Sequence, residues 1–83
     1  MVTKDTTLNE LFESACLSAD TIVQSGETFR VKDLFRGVEW SRIPKGFRTK
    51  LGGMFFAYVS GEARDVFEPS GKTPQNQQIY LKK

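Results

Sequence analysis

Apolar residues recur along this chain with two helical periods. Leu8, Leu11, Phe12, Ala15 and Cys16 fall at i, i+3, i+4, i+7 and i+8, one face of an α-helix. Thr7 and Glu10 occupy the positions of a capping box, in which hydroxyl and carboxylate satisfy orphan amides reciprocally. The spacing predicts a helix from Leu8 to Ile22 or Val23, stopped before Ser25 and Gly26, with an acidic outward face. A second stripe, Ile43, Phe47, Leu51, Met54, Phe55, Tyr58 and Val59, predicts a later helix of about sixteen residues. Ser41 reads as its N-cap, Pro44 as a residue of its first turn, and Gly61 as its end. Gly52 and Gly53 interrupt this pattern at a cost of about 2 kcal/mol relative to alanines. A close crossing with another element would justify them, and a strand over Met54–Val59 is the alternative.

The intervening segments are shorter. Thr28–Val31 alternates as a single edge strand, and Lys32–Phe35 reads as a brief helix ended by Gly37. Trp40 then falls in a connection, as an anchor for the core. Val66–Glu68 and Gln77–Leu81 read as two strands joined by the polar loop Pro69–Asn76, an antiparallel hairpin. Phe12, Phe29, Phe35, Trp40, Phe47, Phe55 and Tyr58 all take inward positions. Phe56 lies off the stripe, either exposed at a protein contact or covering the hairpin. Tyr80 is expected as a packed aromatic of an edge strand, with base stacking as the competing role.

Composition narrows the chemistry. Eighty-three residues suit one domain, 1–83, with an ordered core over about 8–82. The chain contains no histidine and one cysteine, so the usual general base, the Ser-His-Asp arrangement and thiolate or imidazole metal cages lack their parts. The ten carboxylates show no paired, apolar-flanked arrangement that would raise a pKa. A binding protein rather than an enzyme is expected, with no cofactor and no metal. Cys16, inside a helical pattern, is read as a buried structural thiol. The longest strongly apolar run, Met54–Val59, is far below the ~20 residues of a membrane span. A lone cysteine and a polar start then point to the cytoplasm.

Charge separates along the chain. Residues 1–29 hold one base against five acids, residues 30–50 hold seven bases against two, and residues 51–83 hold four against three. The segment balances of −4, +5 and +1 recover the net +2. The basic segment covers Arg30, Lys32, Arg36, Arg42, Lys45, Arg48 and Lys50, and a polyanion is the commonest partner for such a face. A basic helix face opposite an apolar stripe is also what an ordinary solvated surface looks like. Ser70–Thr73 matches the end of a phosphate-binding loop, but Val66 stands where its first glycine belongs and Pro74 blocks the following helix. It reads as a turn.

Helix, short strand, helix, longer helix and hairpin is also the element order of a winged helix-turn-helix domain. The stretches TFRVKDLF, EW and IPKGFRTKLGGMFFAYV, with the terminal QNQQIYLKK, resemble that family over about residues 8–82. The ending is similar to that of small single-domain proteins of bacteria and their phages for which no activity is established. The resemblance implies an α+β winged helix-turn-helix fold in which the later helix enters the major groove by its N-terminal half. That half carries Arg42, Lys45, Arg48 and Thr49, with Lys50 at the flank. Arg48 would contact guanine, and Thr49 a thymine methyl or a phosphate. Lys72, Thr73, Gln75 and Asn76 would form the wing tip, while Arg30, Lys32 and Arg36 would steer from the side.

The function expected is duplex DNA binding by a small transcriptional regulator of a bacterium or mobile element, with a homodimer compensating for a weakly charged wing. The alternative is a protein-interaction module or phage-type inhibitor of a host or defence protein. Its contact would be the acidic first helix or the Phe56 region.

Overall fold

The structure, a computed structural model, describes residues 2–3 and 5–83. Its elements are α1 (Leu8–Thr21), β1 (Thr28–Phe29), a 3-10 turn η1 (Val31–Leu34), α2 (Gly37–Arg42), α3 (Lys45–Ser60), β2 (Phe67–Lys72) and β3 (Gln78–Lys82). They form an α+β domain of three helices and a three-stranded antiparallel sheet ordered β1-β3-β2.

The capping box at Thr7 is present: the Thr7 hydroxyl accepts from the Glu10 N–H at 3.2 Å, and the Glu10 carboxylate accepts from the Thr7 N–H at 3.0 Å. The Thr7 N–H bond to the carboxylate, helped by the Thr7 hydroxyl, holds the Glu10 carboxyl below its ordinary pKa. Leu11, Ala15 and Ala19 turn the buried face of α1 toward α3, which answers with Leu51, Phe55 and Val59. Phe55 meets Tyr80 edge-on at 5.1 Å and Phe29 at 6.0 Å, while Phe67 packs on Phe29 at 5.6 Å. Truncating Leu51 or Phe55 to alanine in so closed a core costs about 2–5 kcal/mol.

The far end of α1 is closed by a residue sixty positions away. The Lys82 ammonium donates to the carbonyls of Ala19, Asp20 and Val23 at 3.0, 2.9 and 2.8 Å. α1 has no basic residue in its own last turn, so the sheet supplies the charge that the helix C-terminus favours.

Several expectations are corrected. Trp40 belongs to α2, not to a connection, and Gly37 begins that helix instead of ending the previous one. Ser41 does not cap α3: it lies inside α2, where its hydroxyl donates to the Gly37 carbonyl. The proline is the cause. Ile43 precedes Pro44 and takes an extended conformation (φ −79°, ψ 125°), so the helix stops and restarts at Lys45 after a Pro44 cap. Met54–Val59 is helical. No close crossing explains the glycines, because a Cβ built at Gly52 or Gly53 meets nothing within 4 Å. Tyr80 sits on the central strand, fully buried, and not at an edge. β1 is only two residues long.

β2 extends through Pro69 into what the sequence suggested was loop. This is permitted because β2 is an edge strand and its pairing shifts between Pro69 and Lys72, where Gly71 has φ +90°. The turn tightens to residues 73–77: Thr73 N–H donates to the Gln77 carbonyl at 2.8 Å, and Asn76 holds φ +67°.

Candidate functional site

α3 has two working faces. One is the core stripe. The other lines a cleft of about 730 Å³ between α3, η1 and the β2–β3 hairpin. Helical spacing brings Lys45, Arg48, Thr49, Gly52 and Phe56 onto the α3 wall. Arg30, Val31 and Lys32 contribute from η1 and its cap, Trp40 from α2, and Lys72, Gln75, Asn76, Gln77, Gln78 and Tyr80 from the hairpin.

Eight of the twelve residues singled out from the sequence meet here: Arg30, Lys32, Lys45, Arg48, Thr49, Lys72, Gln75 and Asn76. Five are cationic, and no carboxylate among the described residues lines the cleft. The other four lie elsewhere. Arg42 donates to the Val2 carbonyl at 3.1 Å, joining an N-terminal strap whose Val2 N–H donates to Glu39 at 3.0 Å. That bond from Val2 holds the Glu39 carboxyl below its ordinary pKa. Arg36 is the exposed cap of α2 and Lys50 an exposed residue of α3. Thr73 builds the turn, its hydroxyl accepting from the Gln77 N–H at 3.1 Å.

The cations of the cleft are not equivalent. Arg48 lies half-buried with its guanidinium 5.3 Å from the Trp40 ring centre, and its Nη2 donates to the Trp40 carbonyl at 3.0 Å. Its Nε is buried without a partner among the described residues. This arginine is fixed, not free to search a base edge. Arg30 is paired with Asp33 through Nε and Nη2, both at 3.1 Å, the one ion pair among the described residues. Its Nη1 also donates to Gln77 at 3.3 Å, tying η1 to the hairpin. Burial pushes the Asp33 carboxyl upward, but the hydrogen bonds and charge of Arg30 outweigh it, and the net pKa is below normal. Lys45 and Lys72 are exposed and Lys32 is half-buried.

Tyr80 closes the inner wall. It is 0% exposed, its hydroxyl has no hydrogen-bond partner among the described residues, and burial pushes its pKa up to about 12. Sequence reasoning missed Gly52, Phe56, Gln77 and Gln78 as cleft residues. Gly52 and Phe56 follow Arg48 and Thr49 at one-turn spacing, and the amides continue directly from Gln75 and Asn76, so that signal was available.

Outside the cleft, Cys16 is half-buried beside Tyr58. Burial, with Asp20, Glu62 and Glu13 nearby, pushes its thiol pKa up, which disfavours the reactive thiolate. Among the described residues no group of three or more Cys, Asp or Glu side chains is placed to hold a metal ion. Among the described residues no helix is long and apolar enough to cross a membrane.

These features define a small α+β domain with a polar, cation-lined cleft beside its longest helix. The chain belongs to the family described as domain of unknown function DUF1413, whose profile matches residues 13–82. No curated protein and no solved structure matches it.

Proposed function

We propose that this protein is a winged-helix DNA-binding protein, a small regulator that acts by occupying DNA. The carrying observation is that five cationic side chains from three parts of the fold converge on one cleft without a carboxylate in its lining. The order helix, strand, helix, helix, hairpin, with β1 paired to β3, supports the winged-helix reading.

In this reading α3 approaches the duplex by its first turns, where Lys45, Thr49 and Lys50 are exposed. α3 begins without a side-chain cap, so its leading N–H groups are open to a phosphate oxygen. Lys72, Gln75 and Asn76 at the hairpin contact the backbone from the other side of the cleft. Arg48 acts indirectly, locking α2 to α3 through Trp40.

Fluorescence anisotropy of a labelled duplex tests the reading. With four to six phosphate contacts, affinity falls about 10²–10³-fold between 50 and 200 mM salt. Lys45→Glu and Lys72→Glu abolish binding and leave the melting temperature unchanged, since both side chains are exposed. A folded protein that binds no duplex at low salt overturns the reading.

A further inference from the structure

We infer that the cleft between α3 and the hairpin seats unpaired nucleotides, so that the DNA this protein prefers carries a single-stranded segment. The inference rests on the DNA-binding reading above and specifies its ligand.

Gly52 is the first reason. It lies at the middle of a sixteen-residue helix, where glycine is costly relative to alanine. Its φ is not positive, and a Cβ there would meet nothing within 4 Å. Neither backbone conformation nor internal packing requires a glycine at this place. Its missing side chain leaves open the centre of the cleft wall, the space a flat ring needs to lie against the helix.

Phe56, one turn further on, is the second. It is 44% exposed and takes part in none of the ring contacts that build the core. Trp40, the other aromatic of the α3 side, is already covered by Arg48 and Phe35. Phe56 therefore offers a free aromatic face inside a cationic cleft, the combination on which unpaired bases stack.

The hairpin supplies the third. Gln77 is held by Arg30, and Gln78 by the carbonyls of Gly71 and Ile79. Gln75 and Asn76, exposed at the tip, make no side-chain hydrogen bond among the described residues, so their amides are available to donate to and accept from a base edge. Tyr80 lines the same cleft, and its buried hydroxyl has no partner among the described residues. A paired base hides its faces in the stack and its Watson–Crick edge in the pair. Only an unpaired nucleotide presents a face to Phe56 and an edge to the amides, while the surrounding lysines hold its phosphates.

Three labelled probes provide the test: a blunt duplex of about 20 base pairs, the same duplex with a 3′ tail of about six thymines, and a thymine single strand. Anisotropy titrations are expected to show the tailed and single-stranded probes bound about ten-fold or more tighter than the blunt duplex. Phe56→Ala and Gly52→Leu should remove that advantage, and Gly52→Leu should melt no lower than wild type. Equal affinity for blunt and tailed probes overturns the inference and leaves duplex binding standing. A tail advantage that survives Gly52→Leu and Phe56→Ala also overturns it. If no probe binds, the DNA-binding reading falls with it.

Discussion

Replacing Lys82 by methionine removes one ammonium and keeps most of the aliphatic stem. The ammonium donates to three carbonyls at the end of α1, those of Ala19, Asp20 and Val23, at 3.0, 2.9 and 2.8 Å. Ala19 and Asp20 belong to the last turn, where helix carbonyls have no partner within the helix. A hydrogen bond to a charged group contributes roughly 1.5–3 kcal/mol in favourable surroundings. The three do not add, because one ammonium gives up its hydration once and remains half-exposed to water. The net loss is therefore about that of a single charged bond, roughly 2 kcal/mol. For a domain of this size that lowers the melting temperature by roughly 8–16 °C. Thermal unfolding followed by circular dichroism at 222 nm reads the shift directly, and Lys82→Arg, which restores the charge, should recover part of it. A methionine variant melting within about 2 °C of wild type would refute the cap as a stabilising contact.

Three further outcomes follow from the same geometry. Gly53→Ala, on the exposed side of α3 with open space around its Cβ, should raise stability by about 1 kcal/mol through helix propensity alone and leave DNA affinity unchanged, checked by denaturant unfolding and anisotropy. Asp33 has a folded pKa below its ordinary value, so its contribution is complete above the unfolded pKa and is lost as pH falls through the folded one. Asp33→Asn should accordingly reduce stability near neutral pH and flatten its decline below about pH 4, measured by urea unfolding across that range. Tyr80→Phe deletes a buried hydroxyl without a partner and should leave the melting temperature equal or higher. In wild type, absorbance titration should show one of the two tyrosines ionising only near pH 12.

What the sequence disclosed was chiefly what is local. The capping box at Thr7 and the stripes of α1 and α3 depend on neighbours within one or two turns, and Leu11, Ala15, Leu51, Phe55 and Val59 are buried as the periodicity requires. The reading failed at Ser41 because a cap rule was applied without the restriction that Pro44 places on Ile43. It failed at Tyr80 because strand order is a long-range property: β3 becomes central only when β1, fifty residues earlier, pairs with its far edge. The Lys82 cap was illegible for the same reason. At the site, composition located the basic segment, but it could not separate Lys45, which is exposed, from Arg48, which Trp40 holds, or from Arg42, which is spent on Val2.

That separation changes how a charge-reversal experiment must be designed. Arg48 is the most conspicuous basic residue of α3, yet Arg48→Glu would do two things at once. It would remove a cation from the cleft and place a carboxylate against the Trp40 carbonyl and ring, where the guanidinium now sits. Breaking a half-buried charged contact this way costs about 2–3 kcal/mol, a large share of the stability of a small domain. Lost DNA binding in that variant would then report unfolding as readily as recognition. Lys45 and Lys72 are exposed on opposite walls of the same cleft. A loss of affinity in both Lys45→Glu and Lys72→Glu, at unchanged melting temperature, assigns binding to the cleft as a whole. A loss in Lys45→Glu alone assigns it to the outer face of α3 and removes the hairpin from the interface.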